Sequence, residues 1–136
     1  MRPETLLDFM GVAEHLKCNM RHSRMTDHRR ESVAEHTYRL CVFAWLVKEE
    51  FPDCDMDKVM KMCLFHDLGE ALTGDIPAFV KTDDDRETEG DALTLLTAML
   101  PGKERQELDE LFGELEREET MEAKIVHALD KMETLI

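Results

Sequence analysis

Apolar residues recur along this chain at intervals of three and four, the spacing that gathers them on one face of a helix. Leu6, Leu7, Phe9, Met10, Ala13 and Leu16 make the first such stripe. The periodicity disappears from Cys18 to Arg30, where Arg, His and Asp dominate, and this stretch reads as a long loop. Ser32-Val33-Ala34-Glu35 has the capping-box pattern and starts a second helix that runs to about Glu49. Phe51-Pro52-Asp53 breaks it. A third helix, from about Met56 to His66, is apolar on more than one face and is expected at the centre. Thr73-Gly74-Asp75-Ile76-Pro77 reads as a turn, and Lys81 to Arg86 as a solvated connection.

Thr88 to Leu100 forms a fourth helix, halted by Pro101-Gly102. Leu108, Leu111, Phe112 and Leu115 mark the inner face of a fifth, and Thr120 opens a last helix through Ile125, Leu129, Met132 and Leu135. No strand pattern, repeat or low-complexity tract is visible. The pattern predicts an all-α bundle of about six helices, one domain spanning residues 1–136. Apolar residues at the uncapped tip, Ile136, fit a last helix that a further element would follow.

Composition narrows the function classes. Seventeen Lys and Arg against 31 Asp and Glu give a net charge of −14, which repels nucleic-acid polymers. A small anionic substrate remains compatible, because a bound cation and a few aimed Arg can reverse the local field. The four cysteines, Cys18, Cys41, Cys54 and Cys63, show no CxxC pairing, and Cys41 and Cys63 lie in apolar stretches as small core residues. The expectation is a cytoplasmic protein without membrane contact: no signal-like segment opens the chain, and the longest apolar run, Leu40 to Val47, is too short to cross a bilayer. Met60, Met62 and Met99 read as core filler, and Trp45 as core.

Candidate chemistry begins where the run Met62-Cys63-Leu64-Phe65 ends in His66 and Asp67. Polar groups at the end of a buried helix are costly without partners, and a divalent metal would pair with both. With His36 and Asp130 they make a set of two imidazoles and two carboxylates, suited to Mn²⁺, Co²⁺, Fe²⁺, Ni²⁺ or Zn²⁺. His66 and Asp67 can face one ion only at a helix end, and Leu68-Gly69 permits such a distortion. Glu70 lies one turn beyond His66, placed to orient a water without binding the metal, and Asp75 is a second carboxylate for that water. Taken alone, Asp130 is a helix residue of no special role, and a lone histidine is a hydrogen-bonded core residue. The joint order Glu-His, His-Asp-x-x-Glu, Thr-Gly-Asp-Ile-Pro, Asp-Lys is what carries weight.

Ser32-Val33-Ala34-Glu35-His36, His66-Asp67-Leu68-Gly69-Glu70, Leu72-Thr73-Gly74-Asp75-Ile76-Pro77 and Asp130-Lys131 resemble the HD-domain superfamily of metal-dependent phosphohydrolases. Within it they are most similar to the 5′-deoxynucleotidase-like branch. The resemblance implies one divalent metal (Mg²⁺ joining the candidates above) on His36, His66, Asp67 and Asp130, catalytic roles for Glu70 and Asp75, and Arg21 as the phosphate-holding arginine. The branch often has Trp after that arginine; this chain has His22. Arg24, Arg29 and Arg30 are alternative phosphate partners. No histidine occurs between His66 and His127, so a two-metal cluster would lack imidazoles. His127, one turn before Asp130, reads as surface or core.

The expected activity is removal of phosphate from a small monoester, a nucleoside or deoxynucleoside 5′-monophosphate, by an enzyme whose branch often forms homodimers. The competing readings are a nucleoside triphosphate phosphohydrolase, a catalytically idle nucleotide-binding HD domain, and a helical interaction protein without metal.

Overall fold

A computed structural model describes residues 1–74 and 83–136. In chain order these form α1 (Pro3–Ala13), α2 (His15–Cys18), β1 (Met20–Arg24), β2 (Arg30–Ser32), α3 (Val33–Leu46), a 3-10 turn (Lys48–Glu50), α4 (Met56–Phe65), α5 (Glu70–Thr73), α6 (Asp83–Ala98), α7 (Gly102–Arg117) and α8 (Met121–Leu135). The fold is helical, as expected. α3, α4 and α8 pack on one another at the centre, with α7 against α4 and α8, and α6 against α5 and α7.

The core sits where the three central helices meet. Leu40 and Ala44 of α3, Val59, Met62 and Cys63 of α4 and Val126 of α8 are fully or almost fully buried together. Each large side chain removed from water there stabilises the fold by ~1.5–3 kcal/mol. Side-chain caps fix where these helices begin. Ser32 Oγ accepts from Glu35 N at 3.1 Å while Glu35 Oε1 accepts from Ser32 N at 2.9 Å, the reciprocal box the sequence predicts. Asp55 caps α4 through Lys58 N, and Thr120 caps α8 through Ala123 N.

Several expectations need correction. The segment read as a loop holds an antiparallel hairpin, β1 with β2, paired Met20 to Ser32 and Arg24 to Arg30 with an irregularity between. Its turn is tied by Met25 N to Arg29 O at 2.7 Å and by Asp27 Oδ1, which accepts from Arg29 N, with His28 in left-handed backbone at φ 69°. The residues alternating along β1 are polar, so period-two burial leaves no hydrophobic signal.

The first helix divides at Glu14 into α1 and α2. Leu6, Leu7 and Met10 face solvent, whereas Phe9, Val12 and Leu16 pack on the core. Trp45 is 52% exposed, with the Lys48 ammonium 3.9 Å over its ring, and is not core. α6 starts at Asp83, well before Thr88, so the end of the expected connection is helical. Acidic residues such as Asp83 and Asp84 suit a helix N-terminus. No helix among the described residues is long and apolar enough to cross a membrane.

Candidate metal centre

Each central helix delivers part of one cluster. His36 lies in the second turn of α3, its position fixed by the capping box just upstream. His66 closes α4, and Asp67 follows in the turn at residues 66–69 that leads into α5. Asp130 comes from α8. His36 Nε2 is 2.6 Å from Asp130 Oδ1, His66 Nε2 is 3.3 Å from the same oxygen, and Asp67 Oδ2 is 3.0 Å from His66 Nε2. One ligand atom from each of the four residues lies within 4.8 Å of all the others.

The turn that puts His66 and Asp67 on one side does not use glycine's conformational freedom. Gly69 has ordinary helical angles, φ −58° and ψ −25°. A Cβ there would come within 3.2 Å of Leu93 Cδ2, so glycine lets α6 lie close against the turn.

The hydrogen bonds around the cluster determine what it can hold. His66 Nδ1 lies 2.7 Å from the carbonyl oxygen of Cys63. A carbonyl only accepts, so Nδ1 carries the proton and the Nε2 lone pair is left for the centre. His36 Nδ1 lies 2.5 Å from Glu133 Oε2, a carboxylate that also accepts from Arg39 Nη1 at 3.2 Å, so His36 is oriented in the same sense. Four acceptor atoms therefore converge on one point, an arrangement stable only with protons or a cation among them.

Burial alone would lower both imidazoles. Asp130 beside His36, and Asp67 and Asp130 beside His66, outweigh that and hold both above the ordinary histidine value, His66 by far the more. Against the upward push of burial, His66 lowers Asp67, and His36 and His66 lower Asp130. The donor set fits a divalent metal of the imidazole-and-carboxylate class.

Arg21 reaches the centre from the hairpin. Its Nε donates to Glu31 Oε1 at 2.9 Å, one Nη donates to Thr134 Oγ1 at 3.0 Å, and the other lies 3.7 Å from Asp67 Oδ2. Arg24, Arg29 and Arg30 spend donors within the hairpin or on Glu35. Glu70 opens α5, whose backbone is tied down by Asn19 Nδ2 to Glu70 O at 2.6 Å and by His15 Nδ1 to Ala71 O at 3.1 Å. Asp75 lies outside the described residues. His127 donates to Leu115 O at 3.0 Å and joins the wall of the adjoining cavity.

The sequence reading missed Glu133, Glu31 and Arg39. Glu133 left a usable signal: Asp130 and Glu133 stand three apart on α8, and His36 and Arg39 stand three apart on α3.

A cavity of about 690 Å³ opens in front of the cluster. His66, Asp67, Asp130 and Glu70 line one part of it, Leu93, Phe112, Leu115 and Val126 give it apolar wall, and Glu89, Asp109, Glu116 and Glu118 add negative charge. Its size suits a small molecule.

Residues 13–136 match the family model of the HD domain. The 5'-deoxynucleotidase HDDC2 of Homo sapiens is 36% identical over 110 residues, covering 79% of this chain and 53% of the relative. The 5'-deoxynucleotidase HDDC2 of Xenopus laevis is 33% identical over 138 residues, covering 98% of this chain and 67% of the relative. A crystal structure from Magnetospirillum magnetotacticum MS-1, of a predicted metal-dependent phosphohydrolase, superposes with a TM-score of 0.88 at 31% identity, covering 98% of this chain and 69% of that one. The chain spans about half the length of most of the curated relatives it matches.

Proposed function

Since the chain belongs to the HD-domain family, we propose that it is a metal-dependent phosphohydrolase that removes phosphate from a nucleoside or deoxynucleoside 5′-monophosphate. The observation that carries this reading is the convergence of His36, His66, Asp67 and Asp130 within 4.8 Å beside a small-molecule cavity. The similarity to 5'-deoxynucleotidases adds the substrate class.

These four residues would hold one divalent ion. When bound, it supplies positive charge to the phosphoryl oxygens and makes a nearby water more acidic. The cavity without it is lined by carboxylates, which would repel a phosphate. Glu70, on the cavity wall and with its backbone pinned by Asn19, takes the role of orienting the attacking water and accepting its proton. Asp75 is the second carboxylate that the Thr-Gly-Asp-Ile-Pro motif brings to the reaction. Arg21, held in place by Glu31 and Thr134, offers guanidinium donors to phosphate oxygens. A triphosphate would bring further negative charge against Glu89, Asp109, Glu116 and Glu118, which favours the monophosphate.

A nucleotide panel with Mn²⁺, Co²⁺, Mg²⁺ and Zn²⁺ tests this. The expected products are free phosphate and nucleoside, abolished by chelator. Glu70→Ala should keep its metal and lose ~10²–10⁴ in turnover, the range for a general base. Chelator-resistant release would remove the metal from the reading, and full activity in Glu70→Ala would remove Glu70.

A further inference from the structure

We propose that Glu133 is a positioning residue of the metal centre, fixing the tautomer and orientation of His36 and strengthening its hold on the cation, with Arg39 anchoring Glu133. The inference rests on the metal reading given above and extends it beyond the four ligands.

Glu133 is 2% exposed, and both of its oxygens are engaged. Oε2 accepts from His36 Nδ1 at 2.5 Å, and Oε1 accepts from Arg39 Nη1 at 3.2 Å. A buried carboxylate is costly unless paired, so the arrangement has to be accounted for by what it holds. Arg39 is half exposed and takes one oxygen of Glu133; the other oxygen is on the buried imidazole, whose far nitrogen is a member of the ligand set.

The helices build this as a two-rung ladder. His36 and Arg39 on α3 face Asp130 and Glu133 on α8 at the same spacing of three. The lower rung carries the ligand atoms, and the upper rung carries the brace. A carboxylate accepting from Nδ1–H makes Nε2 a better electron-pair donor and holds the ring plane toward the ion. Glu31, whose carboxylate also lies near His36 and Glu133, has an oxygen engaged by Arg21 at 2.9 Å and is drawn toward the hairpin.

Calorimetric titration of the metal-free protein with Zn²⁺ and Mn²⁺ separates the outcomes. Glu133→Gln, which keeps shape and an acceptor but no charge, should weaken metal binding about tenfold, and Glu133→Leu up to about a hundredfold. In the ¹⁵N-labelled Zn²⁺-bound protein the His36 Nδ1–H proton should resonate far downfield and exchange slowly in wild type, and should move upfield and exchange faster in Glu133→Leu.

Wild-type affinity in both variants, or unchanged His36 ring signals in Glu133→Leu, overturns the proposal. Should Glu133→Leu fail to fold, Glu133→Gln decides by its affinity alone. Asp130→Asn serves as the separate control. If it binds metal like wild type, or if wild type binds none, the centre itself is wrong, whatever Glu133 does.

Discussion

His66 and His36 present the same nitrogen to the centre, but the two are braced by different chemistry. His66 gives its Nδ1–H to the carbonyl of Cys63, one turn back at the end of its own helix. His36 gives its Nδ1–H to Glu133, a side chain 97 residues away on α8. The first brace is neutral, local and made of backbone, so it exists wherever α4 ends in this way. The second is charged, requires α3 to pack on α8 in register, and depends on one side chain. Geometry at His66 therefore follows from the helix end, and geometry at His36 from tertiary packing.

The two histidines share one partner, Asp130. Asp130 Oδ1 lies 2.6 Å from His36 Nε2 and 3.3 Å from His66 Nε2. Asp130→Asn should lower metal affinity by more than ~100-fold, beyond the range of changes outside the ligand set. Phosphate release should fall to background. Metal titration and phosphate assay on the same preparation check both. A loss within tenfold would mean that each half binds on its own.

Much of this was legible in the sequence, for reasons that differ by residue. The capping box at Ser32, the end of α4 at His66 and the apolar faces of α7 and α8 are local patterns, and local chemistry decides them. The grouping of His36, His66, Asp67 and Asp130 was legible because the ordered Glu-His, His-Asp-x-x-Glu and Asp-Lys motifs resemble those of the HD-domain family. The hairpin was not, because its inward positions Arg21 and Ser23 are polar, and its strands are held by Val33 N to Asn19 O and by Arg30 Nε to Arg21 O. Glu133 left only its spacing of three from Asp130 as a signal, and what that spacing faces is visible once α3 is laid against α8.

In the metal-free protein both histidines are held above their ordinary value. Their stabilising contribution is then complete below pH ~6.5, the unfolded value, and is lost as pH rises through the raised folded values. Asp67 and Asp130 are held low, so their contribution is present above pH ~3.9 and is lost as pH falls through the lowered folded values. A metal ion must displace the histidine protons, so its stabilising effect has the reverse trend and grows with pH. Thermal melts from pH 5 to 8.5, with and without Zn²⁺, should show a metal-induced rise in Tm that is small at the acid end and largest at the alkaline end. A pH-independent rise would place the ion away from both imidazoles.

The smallest expected effect is the most selective. Cys63 is fully buried, and burial pushes its thiol up to about 12, so it stays neutral and unreactive across the working pH range. Its contact with His66 is made by the backbone carbonyl, which a side-chain change leaves in place. Cys63→Ala should therefore lower stability by about 1 kcal/mol through lost packing in the core of α4. Metal affinity should stay within about twofold of wild type, far less than the effect of an outer-sphere brace carried by a side chain. Denaturant melts and metal titration measure the two separately. If Cys63→Ala weakened metal binding as much as Glu133→Gln, the His66 brace would depend on side-chain packing after all. The contrast between a backbone-held histidine and a side-chain-held one would then disappear.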